Sequence, residues 1–560
     1  MSATGDTVGA PERPEAGSAP AVAEGDPPAP ESGRNTARST VIYAVATGLS
    51  RLTGLGREVV AARYFGTSGA MSAFTIAFQV PNLLRALFTD AALQGAFVPV
   101  FADLLESGKK REAFALASNL LSLLFLVLGG LITIFLVGAT VFVPLIAPGF
   151  ADDPVLKDLT IGLTRVLLPT VVLFAGSALV AGMLNSLGHF TVPALAPVAW
   201  NGIIIIALLA TGGVLQGQDH IYLYAFAVVV ATIVQFVLPL PWLRTYGVSF
   251  RPSFNWRDEQ VKRVLKLMLP VTLTLGLFNL SLLIDSLIGT LVSEQAPAAI
   301  DRAFRLCVLP QGIFGLAVAT IMFPTMARYA SRGRFDEMRV TLANGIRYLC
   351  LFLIPSSVFL VVLAEPITRL VYQRGAFDAA ATHLVAEALA VWGCSLPLQG
   401  VGLLLSQAFF SLGRPWVTTI VAVGYVIVNT VVGVALYGPF GVGGVVAGTV
   451  VANIGMTISK SLLLRPHLGH LEGRQNLSSL TRMLIAGVAL GGVSYAVWWV
   501  LDDALGRAFT SQLVAVGVAM TAGSLVYAGA VLVLRVPESR QVGQHLSNLF
   551  RRGREPMRDE

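Results

Sequence analysis

The residues that could do chemistry here are arginines in the wrong solvent. LSRLTGLGREVVAARYFG, residues 49–66, is helical in pattern and lies among apolar runs, yet it holds Arg51, Arg57, Glu58 and Arg63. FQVPNLLRALFTDAALQGAFVP (78–99) holds Arg85 and Asp90, with Pro81 as a kink and Asn82 beside it. RLCVLPQGIFG (305–315) opens on Arg305, and FNLSLLIDSLIGTLV (278–292) carries Asp285. An arginine at the centre of a bilayer costs about 2.5–3.5 kcal/mol on insertion scales, so such residues snorkel, pair or face water. Arg63 is near a segment end and snorkels. Arg51 and Glu58 are seven residues apart and share a helix face, with Gly54 and Gly56 loosening the helix between them. A cluster of arginines facing a wet cavity suits an anionic head group, because guanidinium forks bind phosphate bidentately and keep their charge when desolvated. Internal ion pairing, Arg57 with Glu58 or Arg85 with Asp90, is the bland alternative. Asp285 suits proton or cation coupling, or a partnership with one of the arginines.

The elements that must position these residues are membrane helices. The chain has 560 residues, 55% hydrophobic and only 13% charged, with a mean hydropathy of +0.72; a soluble domain carries about 25% charged residues. Continuous apolar runs of about 20 residues recur along it, which fits helices crossing a core about 30 Å thick and not the alternating strands of a barrel. The expected fold is an all-α polytopic membrane protein with about fourteen transmembrane helices. Basic loops (106–112, 244–263, 328–339, 411–415, 465–482) alternate with neutral or acidic ones (66–71, 149–158, 292–301, 501–507). Loop Lys and Arg mark the cytoplasmic side, so both termini are expected there. The net charge of +7 serves topology and not nucleic acid.

The chain also repeats at a spacing of 225 residues: Pro99 with Pro324, Ala102 with Ala327, Gly108 with Gly333, Asn119 with Asn344, and Ser186-Leu187-Gly188 with Ser411-Leu412-Gly413. This reads as two pseudo-symmetric six-helix lobes, 37–245 and 264–465, joined by a cytoplasmic linker at 246–263 and followed by two further helices within 479–536. Lobes related by an axis along the membrane normal commonly enclose a central cavity and rock about it. Residues 1–36 and 537–560 read as cytoplasmic tails, the first disordered by composition.

Other chemistry finds no support. No Walker loop, nucleophile elbow or zinc-protease motif occurs. Gly444-x-x-x-Gly448 reads as close helix packing. His467 and His470 lack companion ligands for a metal. Cys307, Cys350 and Cys394 read as small buried side chains.

SRLTGLGRE (50–58), AFTIAFQVPNLLRALF (73–88), AFVPVFADLL (96–105) and RLCVLPQGIFGLAVATIMFPTMARYA (305–330) resemble the MurJ/MviN family of lipid II flippases, in the MOP exporter superfamily. The resemblance runs from about 38 to 535. It implies fourteen helices, a central cationic cavity, and cavity arginines at Arg51, Arg57, Arg85 and Arg305, with the family's asparagine at Asn82. It also implies lipid II, an undecaprenyl-pyrophosphate-linked peptidoglycan precursor, as cargo, flipped by alternating access in a bacterial plasma membrane for cell-wall synthesis. Glu58 and Asp90 would support or gate. Two positions depart from the pattern: Ser72 stands where the family usually has Asp, and Asp90-Ala91-Ala92 where it has Glu-Gly-Ala. No cofactor is expected beyond a coupling cation (Na+ or H+, at Asp285) or the membrane potential. Cell-wall synthesis proteins are possible partners. The rival readings are a flippase for another lipid-linked oligosaccharide, a cation-coupled drug exporter of the same superfamily, an intramembrane glycosyltransferase, and a scaffold for cell-wall partners.

Overall fold

The structure, a computed structural model, describes residues 33–88, 91–215, 217–247, 250–469 and 473–538. The first half runs through α1 (Gly33–Phe65), α2 (Gly69–Phe88), α3 (Ala91–Glu106), α4 (Lys110–Ile146), α5 (Pro154–Leu167), α6 (Thr170–Ser186), α7 (Thr191–Thr211), α8 (Gly217–Val237) and the short α9 (Leu240–Thr245). The second half runs through α10 (Glu259–Val292), α11 (Ala296–Pro310), α12 (Leu316–Ser331), α13 (Phe335–Val362), α14 (Ala364–Tyr372), α15 (Ala379–Gly393), α16 (Leu396–Ser411) and α17 (Pro415–Leu468). Two more helices follow, α18 (Gly473–Leu505) and α19 (Phe509–Val533). Among the described residues no strand is present.

Among the described residues nine helical stretches, two of them formed by α5 with α6 and by α8 with α9, are long and apolar enough to cross a membrane, or eleven if each of two bent pairs is one span. The smaller number has physical causes. Charges and glycines lower the hydropathy of α1, and Gln79, Asn82 and Arg85 lower that of α2. The 54 residues of α17 would reach about 81 Å if straight, but the backbone breaks at Gly441 (φ 52°, ψ −133°). The two arms then pack on each other: a Cβ on Gly444 would lie 2.1 Å from the Leu436 carbonyl oxygen, and one on Gly448 2.6 Å from that of Asn429. Glycine is what lets these backbones touch, as the Gly-x-x-x-Gly spacing predicts. Large side chains such as Val137 (77% exposed) and Val533 (80%) face outward, as suits lipid.

Helix starts and stops follow local chemistry. Asp153 accepts from the backbone N–H groups of Val155 and Leu156, and Pro154 follows it at the first helical position; Asp258 accepts from Gln260 and Val261 at the head of α10. Gly108 and Gly333, and Gly188 and Gly413, end helices at φ 74°, 68°, 79° and 69°. These are the glycines that the 225-residue spacing pairs, and each pair adopts the same left-handed turn.

The asparagines of the repeat also do parallel work. Asn119 on α4 grips the linker through both ends of its amide: it donates to the Asn255 carbonyl at 2.8 Å and accepts from the Asn255 N–H at 2.9 Å. Ser122 accepts from the N–H of Ser253 at 3.1 Å. On α13, Asn344 accepts from Arg347, whose guanidinium also donates to Asn476 at 2.8 Å and pairs with Glu538 at 2.5 Å. In each half, therefore, the same helix holds a segment that leaves its bundle.

Several expectations need correction. α1 begins at Gly33, inside the stretch read as a disordered tail, while residues 1–32 and 539–560 are outside the described residues, as are Asp90 and His470. α10 begins at Glu259, within the expected linker. Cys394 is exposed, at the break between α15 and α16. Gly54 and Gly56 leave α1 unbroken and face α7, where a Cβ would stand in ordinary contact, 3.7 Å from Asn201 and 3.8 Å from Ile205.

Candidate functional site

The site lies where α1 and α2 meet α11. α1 packs along α7, and α2 packs against α5, α10 and α11. This brings Arg57 and Glu58 of α1 to Asp301 and Arg305 of α11. Arg57 is hydrogen-bonded to Glu58 and lies over the Trp200 ring, 4.7 Å from its centroid. Glu58 also receives Arg305 at 3.2 Å, and Arg305 donates to Asp301 at 2.7 Å. Asp301 and Arg305 are four apart, so one face of α11 presents both. Arg57 (8% exposed) and Glu58 (4%) are buried, and the two arginines and two carboxylates balance. This is the condition on which charge persists in a low-dielectric interior.

The void these residues border, shared with Gln79, Asn82 and Tyr224, measures about 20 Å³. That is room for about one water and far too little for a sugar-pyrophosphate. The sequence-predicted residues are therefore only partly assembled. Arg57, Glu58, Asn82 and Arg305 share this void. Arg51 lies about 9 Å further back along α1, six residues at 1.5 Å each; it is exposed and rests against Gly312 of the second half. Arg85 lies against Phe174, 5.4 Å from its ring centroid, and does not line the void. Among the described residues, therefore, the four arginines do not share one chamber: Arg57 and Arg305 are held by Glu58, and Arg51 and Arg85 lie outside the void.

The closure is completed by a residue that the spacing argument passed over. Arg302, fully buried, donates to the Gly66 carbonyl at 2.7 Å and to the Glu58 carbonyl at 3.4 Å. Its guanidinium lies 5.5 Å from the Tyr372 ring and 5.6 Å from that of Phe377. A cation donating to the Gly66 carbonyl, just past the C-terminal end of α1, also complements the dipole of that helix. Beside it, the Ala376 N–H donates to the Arg63 carbonyl at 2.8 Å. Gly66 and Gly375 allow this approach: a Cβ on Gly66 would stand 2.5 Å from the Ala376 oxygen, and one on Gly375 2.4 Å from the Arg63 oxygen. The sequence signal for Arg302 and Asp301 was the charge density of IDRAFRL (300–306).

Ser72 now has a role. Its hydroxyl accepts from the Ala298 N–H at 3.2 Å, in the first turn of α11. A carboxylate there would serve the same donor and the same helix dipole. Opening α1 and α2 from α11 must break this contact too.

Asp285 belongs to a second polar centre. It accepts from Asn429 at 2.8 Å and from Thr449 at 3.0 Å, and Asn429 donates to Ser281 at 2.7 Å. Asn429 and Thr449 come from opposite arms of the α17 hairpin. Asp285 is 1% exposed and has no arginine or lysine partner among the described residues. The next residue, Ser286, accepts from Gln79 of α2 at 2.5 Å, so α10 touches both centres. No cluster of three or more His, Cys, Asp or Glu that could hold a metal occurs among the described residues.

The model of a family described as lipid II flippase MurJ matches residues 61–534; the match begins after Glu58 and takes in Arg85 and Arg305. The chain is 32% identical over 460 residues to the probable lipid II flippase MurJ of Rhizobium meliloti, covering 80% of this chain and 84% of that one. A solved lipid II flippase MurJ in an inward closed conformation has the same fold, at a TM-score of 0.71 and 21% identity, over 90% of this chain and 99% of that one. An inward-facing multidrug resistance MATE family transporter of the MOP superfamily is similar in fold at a TM-score of 0.64 and 17% identity, over 79% and 98%.

Proposed function

This chain belongs to the lipid II flippase MurJ family and is a multi-pass membrane protein, and we propose that it carries the head group of lipid II across a bacterial plasma membrane through the seam between α1, α2 and α11. The observation that supports this reading is the buried exchange of charge across that seam: Arg57 and Arg305 share Glu58. A pyrophosphate offers several oxygens to the same two forks. It can replace Glu58 as their partner once the seam opens, and Glu58 is then released to water. Arg51 and Arg85 flank the path and would engage as it widens. The isoprenoid tail stays in lipid.

Arg302 and the contact between Arg63 and Ala376 keep one end of the seam shut, so the head group enters from the other, the end of the basic loops. By the positive-inside rule that end is cytoplasmic, and so are both termini. The return step is taken by the membrane potential or by a cation at Asp285. The oxygen atoms of Asp285, Asn429, Ser281 and Thr449 fit a proton or a hard cation such as Na+. Cell-wall synthesis proteins are the expected partners.

Depletion in a strain with no other flippase, with lipid II measured on the outer leaflet, tests the reading. Outward lipid II should fall and be restored by the wild-type chain, and not by R57A or R305A that still inserts. A normal outward level on depletion would reject the function; full rescue by both variants would reject the seam. Head-group competition in the same assay separates lipid II from another lipid-linked oligosaccharide.

A further inference from the structure

A second cationic cleft lies on the membrane face opposite the basic loops. α13 starts within the basic stretch 328–339 and α18 within the basic stretch 465–482. Their far ends meet where α14, the turn after it and the segment before α19 enclose a cleft of about 370 Å³. A volume of this order suits a small ligand. Its polar lining is Glu365, Arg369, Gln373, Arg374, Thr382, Arg507 and Gln512, with Phe509 as an aromatic wall; the one carboxylate, Glu365, is paired with Arg369.

The charges there are unequally matched. Arg369 is neutralised by Glu365 at 2.8 Å and Asp502 at 3.2 Å. Arg374 and Arg507 have no carboxylate within 4.0 Å among the described residues. Arg374 donates one N–H to the Leu370 carbonyl at 2.5 Å and lies over Phe509, 4.9 Å from the ring centroid. A guanidinium has five N–H donors, so this one is oriented and still has donors to give. Two forks without a counter-charge, in one concave cleft, form the donor set that phosphate oxygens take. The placement also runs against the bias of loop arginine toward the other face.

We propose that this cleft is an oxyanion site for a phosphate, carried by a lipid head group of that leaflet or free in solution. It goes beyond the seam and does not depend on which lipid the seam carries. Its position gives it an effect. Arg374 is followed directly by Gly375 and Ala376, the residues that close against Arg63 and Gly66. A phosphate held by Arg374 and Arg507 therefore stiffens the turn that seals the seam.

Hydrogen exchange on the full chain in nanodiscs, with inorganic pyrophosphate as probe, tests this locally. Peptides over 369–378 and 505–512 should exchange about tenfold more slowly at about ten times the dissociation constant. R374Q combined with R507Q should abolish the slowing, and R374K with R507K should retain part of it, which shows that the fold persists. If a lipid head group is the natural occupant, phosphatidylglycerol nanodiscs will show the protection before pyrophosphate is added. If free phosphate is, phosphatidylglycerol and phosphatidylcholine nanodiscs will behave alike. Wild-type peptides that exchange at one rate with and without pyrophosphate in phosphatidylcholine nanodiscs would overturn the site, as would protection that survives in the glutamine variant.

Discussion

Glu58 is the residue on which the closed seam depends most, since it partners arginines from both halves. Removing one member of a buried pair leaves the other charge uncompensated, at a cost of about 3–5 kcal/mol. Glu58→Gln should lower the thermal stability of the purified protein correspondingly, and unfolding in detergent measures it. Arg302→Ala should act at the other end. A hydrogen bond from a charged group contributes about 1.5–3 kcal/mol, and about 1.4 kcal/mol is a factor of ten. The amides of residues 66–68 and 374–377 should exchange about tenfold faster or more. At this scale the sequence was half legible. Charge in an apolar run identified Arg57, Glu58 and Arg305 as residues that needed a reason. Which partner each finds depends on packing between segments more than 240 residues apart, so the roles of Asp301 and Arg302 and the pairing of Glu58 with Arg305 are not legible in the sequence.

Individual helices were the easier reading, because lipid leaves the backbone no other way to satisfy its hydrogen bonds. What hydropathy could not show is how helices are interrupted. The α11–α12 span bends by 44° where the π-helical turn Gln311–Gly315 gives way to α12. The fold-back of α17 at Gly441 is announced only by glycine spacing. It predicts a contrast: Gly444→Ala forces a methyl into the Leu436 carbonyl and should cost more than about 1–3 kcal/mol. Gly129→Ala on α4 meets nothing within 4 Å and should be neutral or stabilising by up to about 1 kcal/mol. Ser72→Ala should cost about 1 kcal/mol through the lost acceptor at the head of α11. Thermal melts of the three variants, run side by side, check the order.

Across the whole molecule, the alternation of basic and acidic loops was the strongest orienting signal. It predicts that green fluorescent protein fused to either terminus fluoresces, and that alkaline phosphatase inserted near Gly506 is active. The 225-residue spacing was legible for a related reason: turn glycines and the two asparagines do local jobs that each half needs separately. The span count was less secure, since a charged helix, an interrupted helix and a hairpin each defeat a hydropathy window in a different way.

The grip of Asn119 on Asn255 bears on how such a machine would move. Only two residues separate that grip from the cap of α10 at Asp258. The connection between the halves is consequently no loose string: its slack is sewn to the first half almost up to the point where the next helix starts. Any swing of one half against the other must be taken as flexure along α10, the rod that touches both polar centres. Loosening the stitch with Asn119→Ala should let the halves drift without gearing, so that flipping slows while the head group is still bound.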